Sequence, residues 1–503
     1  MAEEDYNEYF KERLKKLQKI ESLYINPYPQ DNLTTKSMSA DILKKYASIS
    51  EEGSKDLVII AGRLMTIRRM GKIAFSHLLD DAGKIQVVFQ KDLLKDFDLL
   101  DLIETGDIIS VKGHPFKTSR GELSVRVSEF KLLAKALRQL PEKFHGLKDD
   151  DIRLRKRYLD LIMDPEVKKF FVNKTRLIKE IRNFMDKNGF LEVQTPILQE
   201  VYGGASAEPF TTHYNTLDCD FYLRISTELH LKRLIVGGFE KIYEIGPVFR
   251  NEGMDASHLQ EIPNHFEFYW AYQDYKGLMK YTEEMIASVL KNTIGTLKIK
   301  YGDKEINFTP PYPVITFKDL ILKQTGIDID KFKDYESLKA EIKKRNIKDV
   351  KVDSAKHYGA LLDEFYKRAC RPSIIQPTFL IQYPTEMIPL AKRNEKDPSK
   401  INSVQLLVDG WELVKAYDEL NNPIDQKLRF IEQQEFLKEG DKEAHPYDKD
   451  FVEALEYGMP PTAGFGLGID RFCALVFDRQ NIRETLFFPT MKPESLIKKD
   501  EEK

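Results

Sequence analysis

Apolar and polar positions alternate with a period of two through residues 57–135. The strings LVIIAGRLMTIRR, KIAFSHLLDD, KIQVVFQ, DIISVKGHPF and ELSVRVSEFKLLA each read as a strand, separated by turns at Gly71, Asp81-Ala82-Gly83 and Gly121. A helical stretch, DLLKDFDLLDLI, falls between the third and fourth strands. Five strands with one helix at that place predict an OB-fold β-barrel, whose face often stacks unpaired bases on aromatic rings. Phe75 and Gln86, with Glu129 on the last strand, offer such bases one stacking ring and two hydrogen-bonding groups.

The period changes on either side of the barrel. Residues 1–56 predict an N-terminal helix and lead-in, with Tyr6, Phe10, Leu14 and Leu17 at helical spacing beside many Lys and Glu. Residues 136–165 are dense in charge and predict a linker with a helical piece. Residues 166–495 predict one large α+β unit, and 496–503 a charged tail. Within that unit a helix closes on Gly189 and passes into FLEVQTPILQ, where Pro196 marks an edge or interface strand. Gly203-Gly204 permits close backbone approach to a ligand. Residues 291–375 predict a peripheral helical insertion. The Gly-rich PPTAGFGLGIDRFCALVF predicts a strand running into a helix near Asp470-Arg471, which suits an anion.

The stretch from Gly238 to Tyr272 predicts an antiparallel hairpin. In its second arm Phe266, Phe268 and Trp270 alternate with Glu267 and Tyr269, which places the acid and the phenol on one face. Between the arms sit Arg250, Glu252 and His258, residue types that grip phosphates and read a purine edge when they project into a cleft. The null alternative for each triplet of this kind is a solvated surface pair.

Composition limits the classes. The 503 residues suggest two to four domains, and 78 basic against 81 acidic residues give a net charge of −3, which argues against a general polycation. Cys219, Cys370 and Cys473 form no CxxC, so each is expected to fill core in a reducing compartment. No run approaches the roughly 18 apolar residues of a membrane span, so a cytoplasmic protein with no membrane partner is expected.

Three segments in order carry a resemblance. NGFLEVQTPIL resembles motif 1 of the class II aminoacyl-tRNA synthetases, FRNEG resembles motif 2, and GFGLGIDR resembles motif 3. With the barrel ahead of them they resemble subclass IIb. The strings LPEKFHGLKD, GGASAEPF, RISTELHLKRLIVGGFEKIYEIG, AYDELN and ALEYGMPPTAGFGLGIDR look like its lysyl-tRNA synthetase family, and Ser226-Thr227-Glu228-Leu229 stands where the aspartyl and asparaginyl enzymes have Gln-Ser-Pro-Gln.

The resemblance implies an α+β multidomain fold: an OB-fold anticodon-binding barrel, then a class II catalytic domain on an antiparallel β-sheet flanked by helices. It implies L-lysine, ATP and tRNA(Lys) as partners, Mg2+ as cofactor, and a homodimer formed through motif 1 at Pro196. Lysine is expected on Gly204, Ala205, Glu228, Glu267, Tyr269, Tyr417 and Glu419, with Glu228 on the α-amino group and Glu267, Tyr269 and Glu419 about the ε-ammonium. ATP is expected on Arg250, Glu252, His258, Ile262, Glu412, Gly468 and Arg471. Arg250 and Arg471 are the catalytic pair, and Glu412 and Gln405 the metal ligands. Phe75, Gln86 and Glu129 then become anticodon contacts. An aspartyl or asparaginyl enzyme and a non-catalytic synthetase-like RNA-binding protein are the alternatives.

Three positions depart from the pattern. Gln405 stands where an acid is general, which predicts fewer tightly held ions. Ile262 stands where a phenylalanine stacks on adenine, so that contact passes to a neighbour such as Phe266 or to aliphatic packing. Lys415 replaces a common asparagine, and either points elsewhere or meets a phosphate.

Overall fold

A computed structural model describes residues 8–141, 150–251 and 261–495. The chain divides into two compact units, Met1–Lys148 and Asp149–Lys503.

In the first unit, strands β1 (Val58–Met70), β2 (Ile73–Leu79), β3 (Lys84–Gln90), β4 (Ile108–Lys117) and β5 (Leu123–Ala134) close into a barrel in the order β1-β2-β3-β5-β4. Alternation sets the lining: along β2, Ala74, Ser76 and Leu78 turn inward while Phe75 and His77 turn outward. Ile85, Val87 and Phe89 of β3 and Val125 and Val127 of β5 complete the core. The helix expected between the third and fourth strands is a short 3-10 helix, Phe97–Leu102, because Phe97, Leu100 and Leu102 all turn into the barrel's core. The N-terminal helix, Glu8–Ser22, buries Arg13, Leu17 and Ile20 and leaves Leu14 exposed, so its inner face differs from the one expected. Arg13 turns inward because its guanidinium donates to the carbonyls of Thr105, Ala136 and Arg138. Tyr6 lies outside the described residues.

The second unit is built on an eight-stranded sheet. Its strands are β6 (Leu191–Glu192), β10 (Lys241–Pro247), β11 (Asn264–Ala271), β14 (Val314–Thr316), β15 (Thr378–Ile381), β16 (Ser403–Val408), β17 (Trp411–Asp418) and β18 (Thr462–Gly468), in the order β14-β15-β16-β17-β18-β11-β10-β6. Only the end pairs, β14 with β15 and β10 with β6, are parallel. Strands β7 (Leu198–Gln199), β8 (Thr211–Tyr214) and β9 (Cys219–Leu223) form a small separate sheet, and β12 (Lys298–Tyr301) pairs with β13 (Lys304–Asn307).

The helix Pro165–Lys187 starts with Asp164 accepting from Glu166 N at 2.9 Å and proline in its first turn; Gly189 follows its end at φ +77°. Its Leu177, Ile181 and Met185 pack with Leu278, Met285 and Val289 of the helix Tyr275–Ile294 onto one face of the sheet. Phe268 of β11 stacks there on Phe465 of β18, ring centroids 4.5 Å apart. The other face carries a second core and the cavity described below.

Two stretches differ from the sequence expectation. Residues 150–163, read as the helical piece of a linker, do form helices, Asp150–Arg155 and Arg157–Met163, but belong to the second unit; buried Arg157 pairs with Asp160 at 2.6 Å and donates to Leu486 O and Phe487 O. Residues 291–375 are not a peripheral helical insertion throughout. They open with the β12–β13 hairpin, whose Ile299, Tyr301 and Ile306 join the main core, and β14 is an edge strand of the main sheet. Alternation over only four residues is too short to register as strand in a Lys-rich context. Cys370 and Cys473 fill core as expected, whereas Cys219 on β9 is exposed. No helix among the described residues is long and apolar enough to cross a membrane.

Candidate active site

The hairpin predicted over 238–272 exists as β10 and β11, with Glu244 directly opposite Glu267. Since β11 turns Phe266 and Phe268 into the core, Glu267 and Tyr269 face the other way. On that face β18 sets Gly466 beside Glu267 and Gly464 beside Tyr269. A Cβ on Gly464 would stand 2.6 Å from Tyr269 Cε1, and one on Gly204 would stand 2.9 Å from Glu228 Cβ. The glycines therefore let the side chains of Tyr269, Glu419 and Glu228 pack directly against bare backbone, where any Cβ would collide.

Three buried carboxylates line this cavity: Glu228, first residue of the helix Glu228–Val236, Glu267 of β11, and Glu419 just past β17. A fully buried lysine stands among them. Lys232, one helical turn after Glu228, donates to Glu228 Oε1 at 2.6 Å and forms an ion pair with Glu419. The Tyr417 hydroxyl lies 2.8 Å from each Glu228 oxygen. Ser226 Oγ donates to Glu267 at 3.2 Å, and His265 Nδ1 is 3.6 Å away.

The electrostatics follow from this geometry. Burial pulls Lys232 down, but Glu228 and Glu419 outweigh it and hold the ammonium charged. Burial pushes the Glu419 carboxyl well above the usual carboxylate range, opposed by Lys232 and reinforced by Glu228. For Glu267 burial is overcome by His265, Thr227 and Arg250, which hold it below that range. Burial also keeps Tyr269 and Tyr417 protonated, hence available as donors. The three carboxylates outnumber the one lysine among them, with Arg250 acting on Glu267.

Two arginines stand beside the acids. Arg250 Nε donates to Ile225 O at 3.2 Å, and Arg471, third residue of the helix Ile469–Val476, donates to Glu412 O at 3.1 Å. Both bear on His265, whose protonation burial and the two cations suppress. Asp470 anchors that helix by accepting from Lys174 Nζ at 2.6 Å and Asn264 N at 2.8 Å. Gly468 precedes it, close enough that a Cβ would meet Arg471.

Residues 149–492 match the family model described as tRNA synthetases class II (D, K and N). The chain belongs to this family. Residues 58–133 match the OB-fold nucleic acid binding domain. This synthetase is 46% identical over 98% of its length to the lysine–tRNA ligase of Thermoanaerobacter sp. (strain X514), covering 97% of that protein. It is 48% identical over 87% of its length to the lysine–tRNA ligase of Aquifex aeolicus (strain VF5), covering 73% of it, and 43% identical over 98% of its length to that of Bacillus cereus (strain B4264), covering 99%.

The structure brings Gly204, Glu228, Glu267, Tyr269, Tyr417 and Glu419 of the synthetase together, and Ala205 is next to Gly204 in the chain. Glu228 and Glu419, expected at the two ammonium groups of lysine, both pair with Lys232. Glu252 and His258 lie outside the described residues. Phe266 is unavailable to adenine: it is fully buried between Tyr243 and Phe465, on the opposite face from the cavity. Ile262 is exposed, which leaves the aliphatic alternative.

Gln405 is not placed to ligate metal. Its Oε1 accepts from the buried hydroxyls of Tyr366, at 3.1 Å, and Tyr383, so both lone pairs are engaged. Glu412 keeps its carboxylate ionised: burial opposes ionisation, but Lys415, Arg471, Arg371 and Lys367 outweigh it. Among the described residues no three His, Cys, Asp or Glu side chains are grouped to hold a metal.

On the barrel, Phe75 and Gln86 share the outward face of β2 and β3, with Gln86 held by Glu122 at 2.8 Å and Ser124 at 2.7 Å. Glu129 is exposed on β5 and pairs with Lys112 at 2.9 Å. Sequence reasoning missed Arg68, directly opposite Phe75 in the β1–β2 register, and Lys232. The i,i+4 spacing of Glu228 and Lys232 was the available signal. His445, buried and 4.0 Å from where a Gly203 Cβ would stand, had none.

Proposed function

We propose that this chain is a lysine–tRNA ligase that activates L-lysine with ATP to lysyl-adenylate, releasing pyrophosphate, and then transfers lysine to the 3′-end of tRNA(Lys). The observation that carries the reading is the cluster of three buried carboxylates, Glu228, Glu267 and Glu419, which outnumber the single lysine among them. Charge-assisted hydrogen bonds in a desolvated pocket reject ligands that leave them unmade. An aspartate or asparagine side chain would add an acid or neutral amide to a surplus of carboxylate, so the aspartyl and asparaginyl alternatives are disfavoured. A non-catalytic relative would have no use for Arg250 and Arg471 beside the cavity.

The mechanism we assign needs no protein nucleophile. The lysine carboxylate attacks the α-phosphorus in line while Glu228, Glu267, Glu419, Tyr269 and Tyr417 fix its ammonium groups and Gly204 and Ala205 close over them. Arg250 neutralises charge growing on the α-phosphate and Arg471 holds the far end of the triphosphate, so catalysis is positioning and electrostatic stabilisation. Glu412 is the carboxylate assigned to Mg2+, a hard cation that takes one or two carboxylates and completes its shell with phosphate and water. When bound, that ion would offset phosphate charge. Glu252, His258, Ile262 and Gly468 are assigned to seating the nucleotide.

Phe75, Gln86 and Glu129, with Arg68, form the anticodon face we assign to the barrel. The exposed apolar run Leu191, Ile197 and Leu198 about Pro196 favours a homodimer through that edge. A cytoplasmic location follows from the substrates. The test is charging of a tRNA(Lys) transcript with labelled lysine in the presence of ATP and Mg2+; absence of lysine-dependent charging overturns the reading.

A further inference from the structure

Four cations, Lys415, Arg471, Arg371 and Lys367, act on the Glu412 carboxylate. Lys415 lies on β17 across from Gln405 on one side and from side-chain-less Gly466 on the other. It is half-buried, and among the described residues it forms no hydrogen bond or ion pair. Lys367 and Arg371, on a π-helical turn, Tyr366–Cys370, and the 3-10 turn after it, add positive charge that acts on the same carboxylate. Such turns recur at functional sites because they re-aim side chains. Lys367 is engaged by Asp363 at 2.6 Å, whereas Arg371 Nε is buried without a hydrogen-bond partner among the described residues. The same π-turn supplies Tyr366, one of the two hydroxyls that occupy the Gln405 oxygen. One structural unit therefore removes a possible metal ligand and adds cations beside the remaining one.

We propose that Lys415, backed by Arg371, binds the β- and γ-phosphates of ATP and the departing pyrophosphate directly, taking the charge-neutralising place of a second divalent ion. The inference rests on the ligase reading for its use of ATP. Glu412 acts on Lys415 electrostatically, but among the described residues no hydrogen bond or ion pair engages the ammonium, which leaves its donors for a phosphate. A second divalent ion beside Lys415, Arg371 and Arg471 would face repulsion that Glu412 alone cannot offset.

The test separates this claim from the ligase reading. Binding of inorganic pyrophosphate is measured by calorimetry in EDTA, with thermal midpoints confirming that each variant is folded. The wild type binds, Lys415→Met weakens binding by about tenfold or more, the loss expected for one charge-assisted phosphate contact, and Lys415→Arg retains it. Mn2+ counted by electron paramagnetic resonance in the complex with a non-hydrolysable ATP analogue is one per site in the wild type and one more in the double variant Gln405→Glu, Lys415→Asn. Equal pyrophosphate binding by wild type and Lys415→Met, or two Mn2+ per site in the wild type, overturns the proposal. Lysine-dependent ATP–pyrophosphate exchange that persists alongside such a result leaves the ligase reading standing, and its absence refutes that reading separately.

Discussion

Lys232 Nζ lies 2.6 Å from Glu228 Oε1, so the cavity proposed to select lysine already contains one. The internal ammonium draws Glu228 and Glu419 to one point. Lys232→Met leaves two buried carboxylates facing each other. A loss of about 3–5 kcal/mol in unfolding free energy is expected, the usual cost of removing one partner from a buried pair. Because Glu228 and Glu419 then separate, KM for lysine rises at least tenfold while KM for ATP changes little. Thermal unfolding and steady-state exchange check both.

Lysine binding should release a proton. In the free protein burial and Glu228 push the Glu419 carboxyl up, favouring its protonated form. An incoming ammonium favours the ionised form, so its arrival lowers the pKa and expels the proton. The sign is that lysine affinity increases as pH rises toward the raised Glu419 value. Calorimetry in two buffers of different ionisation enthalpy measures the release, and Glu419→Gln abolishes it.

His445 makes stability depend on pH in the same direction. Burial, then Lys415 and Lys232, lower it from 6.5 to about 4. Between those values the unfolded chain binds a proton that the folded chain refuses. Stability from this group is fully present above pH 6.5 and is lost as pH falls to about 4, ~3 kcal/mol in all. The difference in thermal midpoint between wild type and His445→Gln should change across that interval and be constant above it.

The barrel face should act on tRNA and not on activation. Phe75→Ala removes the stacking ring on β2, and Arg68→Ala the cation directly opposite it. Each is expected to raise KM for tRNA(Lys) by roughly 5- to 150-fold, the 1–3 kcal/mol typical of one base–aromatic stack, while lysine-dependent exchange in the absence of tRNA is unchanged. Aminoacylation kinetics with a tRNA(Lys) transcript check this.

Period-two alternation made the barrel and β11 legible, and it placed Glu267 and Tyr269 on one face because side-chain direction in a strand is local. The inward turn of Arg13 could not be read, since its partners Thr105, Ala136 and Arg138 lie far along the chain. Gln405 illustrates the same limit. Its residue type allowed metal ligation, and only the arrival of Tyr366 and Tyr383 from other elements excludes it. Phe266 was misplaced for a simpler reason: its alternation with Glu267, already visible, assigns it to the core.

The central claim is that a buried surplus of carboxylate selects lysine. ATP–pyrophosphate exchange with lysine, aspartate and asparagine in parallel tests it most directly. Exchange with lysine is expected and, for Glu419→Gln, a kcat/KM for lysine reduced by roughly a hundredfold or more, as when a buried charge-assisted contact is left unmade. Exchange supported by aspartate or asparagine but not by lysine would contradict it.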